Sequence, residues 1–241
     1  MRFIIFLSLL CSQLVFAGAD YAREKKWADE IVPSVVVGDA VYLEAQDRKF
    51  LTLFAEAANA KAGLVIVHGI GVHPEHGLIG VLRGNLADQG YATLSIQMPI
   101  LAVEAQAEAY PPLYPEATER IKSAVRYLQG KGYKKIAVVS YSLGSRMSHA
   151  YFKTNAETPA AAWVSIGMPG DSYAGINVPI FDLYGQKDLP PVLKNAQERA
   201  DSLRGNAAFK QTRAPAADHF FTGQDNALVK YVKEYLDQTL K

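Results

Sequence analysis

The chain of 241 residues holds a single cysteine, Cys11. Beyond it there is no thiol to act as nucleophile, ligate zinc or form a disulfide, so those chemistries are excluded for the body of the protein. An excess of one charge is missing too: 25 Lys and Arg stand against 24 Asp and Glu, net +1, with no long run of either sign. No nucleic-acid-binding face is expected from so balanced a chain. Internal repeats, disordered tracts and linker-like stretches are also lacking. What is there, 49% hydrophobic residues, is enough for one α/β domain with a full core.

The one long apolar run opens the chain. Arg2 precedes an apolar stretch over 3–16, and the small residues Ala17, Gly18 and Ala19 follow. This pattern predicts a secretory signal peptide over 1–19, with cleavage suited to either Val15-Phe16-Ala17 or Ala17-Gly18-Ala19. The stretch is shorter than the ~20 apolar residues of a spanning helix and carries Ser8, Ser12 and Gln13, which makes an uncleaved anchor the weaker alternative. Leu10 stands before Cys11 where a lipoprotein signal has a small residue, so lipidation is not expected. The mature protein, 20–241, is then a thiol-free single domain, exported to the periplasm or secreted.

Behind this segment, 20–30 is charged and helix-compatible, and 34–37, 40–43 and 49–55 have the look of short antiparallel strands, with Gly38-Asp39 as a turn. From Gly63 onward apolar runs at 63–67, 92–96, 135–140, 161–166, 179–184 and 207–212 alternate with helical patterns. Ile79, Leu82 and Leu86 repeat at helical spacing, as do Ile121, Ala124, Val125 and Leu128. Pro190 and Pro191 mark a helix running to about 203. Thr222 and Asp225 resemble a capping pair before the stripe Leu228, Val232 and Leu236. The alternation predicts an α/β fold: a mostly parallel sheet with helices on both faces and antiparallel N-terminal edge strands.

Within that pattern the segment Ala137-Val138-Val139-Ser140-Tyr141-Ser142-Leu143-Gly144-Ser145 is the most informative. An apolar run stops at a serine flanked by small residues and a helical pattern begins, as in a sharp strand-to-helix turn that presents a hydroxyl. The usual glycine two before the nucleophile is Ser140 here. A serine hydroxyl is a poor nucleophile until an imidazole takes its proton. His219 follows the last strand-like run and Asp188 the one before it, so the order is Ser142, Asp188, His219, with Asp188 to orient the ring. Asp218, Asp182 and Asp225 are weaker acids for the role, being adjacent to the histidine, within a strand and within a helix.

These residues, with Gly63 to Gly71 and its His68-Gly69 pair upstream, give a chain that resembles the α/β-hydrolase superfamily in its small esterase or dienelactone-hydrolase-like form, from residue 64 to the C-terminus. The resemblance implies an oxyanion hole made by the backbone N–H of Leu143 and one from the loop after Gly69, at Ile70 or else Gly71. His68 is expected to shape that loop without moving a proton. Only 167–178 is available where larger relatives insert a helical cap, so no cap domain is expected. The proline-rich 101–115, with Tyr110-Pro111-Pro112-Leu113-Tyr114-Pro115, is either a border of the pocket or a plain surface loop.

No cofactor is implied. His68, His73 and His76 have only Glu75 beside them and do not make a zinc pattern. Gly69-Ile70-Gly71 lacks the Lys-Ser/Thr of a phosphate loop. His149 is two turns along the helix from Ser142, out of reach of it. The expected partner is a small-molecule ester or related acyl substrate, cleaved through an acyl-serine. The segment 71–99 also resembles an uncharacterised branch of exported bacterial α/β-hydrolase-like proteins. Since the superfamily includes members that keep the fold without the activity, a catalytically silent binding or accessory protein of the cell envelope is the alternative.

Overall fold

The computed structural model describes residues 18–170 and 172–241; all but the last two residues of the expected signal peptide lie outside them. Elements follow one another as α1 (Tyr21–Ile31), β1 (Asp39–Ala45), β2 (Arg48–Ala55), β3 (Gly63–Val67), α2 (Leu78–Asp88), β4 (Ala92–Ile96), α3 (Tyr114–Gly130), β5 (Ile136–Tyr141), α4 (Leu143–Thr154), β6 (Ala162–Ile166), β7 (Ile180–Lys187), α5 (Pro190–Lys194), α6 (Ala196–Ser202), β8 (Phe209–Asp218) and α7 (Asp225–Thr239).

The strands make one eight-stranded sheet in the order β1-β2-β4-β3-β5-β6-β7-β8. β1 with β2 and β2 with β4 are antiparallel, and every later pair is parallel. Side-chain alternation sorts the central strands onto two cores. Val65, Val67 and Val138 face α3 and α4, whereas Leu64, Ile66, Ala137 and Val139 face α2 and α7. Burial on both faces explains why β3, β5 and β6 read as near-continuous apolar runs. The architecture is therefore the expected one, with the parallel strands delivering their carboxyl ends, and the loops after them, to one rim.

Local departures have physical causes. Residues 34–37 do not form a strand: Val32–Ser34 is a 3₁₀ turn with Pro33 in it, and Val36 is 91% exposed with nothing to pair against. The expected single helix from Pro190 breaks at Asn195, whose side-chain amide donates to the carbonyl oxygen of Pro169. Thr222 and Asp225 do not form a capping pair. Asp225 is the first residue of α7, no side chain caps it, and the Thr222 N–H donates instead to Asp218 Oδ1. β8 runs six residues beyond the expected end, passing through Pro215, which is tolerated because β8 is an outer strand.

Two buried charge clusters tie helices to the sheet. Arg199 pairs with Asp182 of β7, where both side chains are fully buried. Arg120 of α3 pairs with Glu24 of α1 and Glu116, and also donates to the carbonyl oxygen of Gln97. Among the described residues between β6 and β7 there is no helix; Tyr173 instead turns inward and its hydroxyl lies within hydrogen-bond distance of Ser165 Oγ and Asp182 Oδ1.

Candidate active site

Ser142 stands between β5 and α4 with φ 54° and ψ −123°. A non-glycine residue held there stores roughly 1–3 kcal/mol of strain, which the surrounding structure must sustain. Two contacts do so: the Ser142 N–H donates to the carbonyl oxygen of Ile166 at 2.8 Å, and the first turn of α4 lies against the β3 loop. Gly144 permits that approach, since a β-carbon there would collide with the carbonyl oxygen of His68. Ser140 has its own use. Its Oγ accepts the Trp163 indole N–H at 2.7 Å and lies 3.1 Å from Ser145 Oγ, fully buried. The departure from glycine thus adds a buried polar link between β5 and β6.

His219 lies just past β8 and is 5% exposed. Its Nε2 is 3.0 Å from Ser142 Oγ and its Nδ1 is 2.6 Å from Asp188 Oδ1. The carboxylate of Asp188 is itself fixed by two backbone donors, Leu189 N–H to Oδ1 at 2.8 Å and Gly185 N–H to Oδ2 at 2.9 Å. Glycine is required on both sides of this pair. At Gly167, φ is +58° and a β-carbon would come within 2.9 Å of His219 Cε1; at Gly185 it would meet the Ala217 carbonyl oxygen at 2.5 Å. The ring of Tyr141 covers the imidazole at a centroid distance of 5.0 Å.

The other acids are committed elsewhere. Asp182 serves the Arg199 pair. Asp218 accepts the N–H groups of Phe220 and Thr222, and these bonds hold its carboxyl below its usual range. Asp225 begins α7. His149 sits along α4 beside the Trp163 ring, away from the hydroxyl.

The loop after β3 is held by His68, which is fully buried. Burial pushes its pKa down to about 3, so it stays neutral and moves no proton at neutral pH. Met98 N–H donates to Nε2, which leaves the ring proton on Nδ1 to donate to the Gly69 carbonyl oxygen at 2.8 Å. That carbonyl shares a rigid peptide plane with the Ile70 N–H. Fixing one end of the plane fixes the direction of the other. A second hold comes from α1: Arg23 donates to the carbonyl oxygens of Gly71 at 2.9 Å and Leu101 at 2.8 Å, with its guanidinium stacked on Trp27. Leu143, first residue of α4, contributes one of the free N–H groups of a helix start.

A cavity of about 240 Å³ opens beside Ser142 and His219, walled by Ile70, Val72, Leu78, Ile79, Tyr141 and Phe220 among others. No residue of 101–115 lines it. Tyr110 is buried with its hydroxyl accepting the Leu101 N–H, so that segment supports the loop from behind. Among the described residues no three His, Cys, Asp or Glu side chains are grouped to hold a metal ion. His73 instead packs its ring on Trp27 and His76, and Glu75 pairs with Arg83.

Several residues of the site are absent from the sequence reading. Gly167 and Gly185 each lie at or just beyond an apolar run, where a glycine signals close backbone approach. Arg23 and Trp163 carry no local signal, since their partners lie 48 and 23 positions away.

A family model described as "Protein of unknown function (DUF3530)" matches residues 21–118 and ends before Ser142. No curated protein matches the chain in sequence. Solved structures do match it in shape. A dienelactone hydrolase from Anabaena variabilis is 21% identical with a TM-score of 0.67, covering 84% of this chain and 97% of its own. An α/β serine hydrolase without lid from Xanthomonas campestris is 12% identical with a TM-score of 0.65, covering 85% and 95%. An esterase from Pyrococcus furiosus is 14% identical with a TM-score of 0.65, covering 84% and 93%. At such identities the likeness establishes the fold.

Proposed function

For this chain of the α/β-hydrolase fold, we propose an exported serine hydrolase that cleaves a carboxylic ester or related acyl bond through an acyl-Ser142 intermediate. The observation that carries the reading is that one imidazole, His219, lies 3.0 Å from a strained serine hydroxyl and 2.6 Å from a carboxylate. Nδ1–H donates to Asp188, which leaves the lone pair of Nε2 facing Ser142 Oγ. As Oγ attacks the acyl carbon, its proton passes to Nε2 and the imidazolium is steadied by Asp188. The carbonyl oxygen becomes an oxyanion that receives the N–H groups of Leu143 and Ile70; each such donor is worth about 3 kcal/mol of barrier. His219 then gives the proton to the departing alkoxide. In the second half it takes a proton from water, hydroxide adds to the acyl carbon, and Ser142 Oγ leaves with that proton.

Every group the chemistry needs is supplied by side chains and backbone, so no cofactor enters the scheme. Export rests on the apolar N-terminal pattern and on a body free of thiols. The test is labelling by a fluorophosphonate probe together with hydrolysis of short p-nitrophenyl esters: the wild type reacts with both and Ser142→Ala with neither. A wild type inert to both leaves a silent scaffold.

A further inference from the structure

The cavity beside Ser142 bears on the substrate through what its walls lack. Ile70, Val72, Leu78, Ile79 and Tyr141 supply apolar surface; His219 and the exposed His76 are its only ionisable nitrogens, and among the described residues no Lys or Arg lines the space. The mouth is apolar as well. Ile70, Leu189 and Phe220 are 38%, 45% and 64% exposed, so three of the six exposed large hydrophobic residues among the described residues ring this one opening. Scattered exposed apolar side chains mean little, but several around one hollow mark a binding site. Behind the wall, outside the lining itself, stand two carboxylates. Burial first, and after it the charges of Asp188, beneath His219, and Asp218, which accepts the Phe220 and Thr222 N–H groups, hold the Tyr141 hydroxyl in its protonated form.

Resting on the hydrolase reading above, we propose that this cavity takes the acyl part of the substrate, and that this part is compact, apolar and uncharged, carboxylate-bearing acyl groups being rejected. The side follows from the walls: Gly69, Ile70 and Val72 belong to the loop whose Ile70 N–H the hydrolase reading assigns to the acyl oxygen, so on that reading a chain attached to the same carbon runs along them. The size follows from the volume, about 240 Å³, below the ~300–1,000 Å³ of sites for larger ligands. Rejection follows from desolvation. A carboxylate moved into this space leaves water, meets no Lys or Arg, and has two carboxylates standing behind the wall.

The test compares p-nitrophenyl acetate, butyrate and laurate with the mono-p-nitrophenyl ester of succinate, which sets a carboxylate where butyrate has a methyl group. For the wild type kcat/KM is highest at butyrate, falls for laurate, and is lower for succinate by about thirtyfold or more. Val72→Arg, which places a cation in the wall, narrows the butyrate-to-succinate ratio at least about tenfold. Phe220→Arg repeats the test from the exposed rim. A butyrate ester of a carboxylated nitrophenol moves the charge to the alcohol and is cleaved well. Succinate cleaved as readily as butyrate, or charge refused only on the alcohol, overturns the assignment while leaving the hydrolase standing. A wild type that cleaves no ester and takes no fluorophosphonate overturns both.

Discussion

Arg23, in the first helix, donates through its guanidinium to the carbonyl oxygen of Gly71 at 2.9 Å, one residue past the proposed oxyanion donor Ile70. The same side chain holds the Leu101 carbonyl oxygen. Arg23→Ala is expected to free the loop and lower kcat about tenfold with little change in KM, because oxyanion contacts strengthen in the transition state. Asp20→Ala is the control: it removes the carboxylate that accepts the Arg23 N–H and destabilises the same helix without touching the loop. Amide exchange of residues 69–73 rises in the first variant and not in the second. Equal activity losses in the two would leave Arg23 with no role beyond stability.

Gly167→Ala puts a methyl group 2.9 Å from His219 Cε1 and 3.1 Å from Nδ1, at a φ of +58°. The ring must move off Asp188, and the positive φ adds about 1–2 kcal/mol. Fluorophosphonate labelling is expected to slow at least about tenfold while the fold survives. A rate within about twofold of wild type would show that the ring tolerates displacement.

Replacing Ser140 with the more usual glycine removes the acceptor of the Trp163 indole N–H and strips a buried strand of its side chain. The combined loss is about 2–3 kcal/mol in urea unfolding, with ester hydrolysis retained. Unchanged stability would mean that a water or neighbouring oxygen replaces the hydroxyl.

Acid acts on His68. Its folded pKa of about 3 lies below the ordinary 6.5, so the unfolded chain takes up a proton that the folded one refuses. The associated stability is complete above pH 6.5 and is lost as pH falls toward 3, about 2 kcal/mol of it between pH 7 and 5. Urea midpoints of wild type and His68→Asn across that range give the steeper acid loss for the wild type. Parallel slopes would rule the histidine out as the cause.

The legible parts of this chain are those whose signal is local. Val65 to Val67 and Val138 to Val139 are buried on both sides of the sheet and read as strands from composition alone. Ser142, Asp188 and His219 stood out because each follows an apolar run into a turn, and the structure brings those three side chains together. Where the sequence misled, a partner was missing or distant. Val35 to Val37 are β-branched, yet no strand lies beside them to pair with. The helix from Pro190 has the right periodicity, but Asn195 is drawn off to Pro169. Ser140 reads in sequence only as a departure from the usual glycine because Trp163, which gives it a purpose, is 23 residues on.

Pro215 sits in β8, the last strand on one side of the sheet. Having no N–H, it removes one donor from this outer strand that a foreign chain could use to add itself to the array, and the ladder is irregular against Gly185 and Lys187 in the same stretch. The border that carries His219 is thereby guarded against edge-to-edge stacking of neighbouring molecules, so crowding or partial unfolding is expected to start aggregates elsewhere and spare the strand that bears the proton carrier.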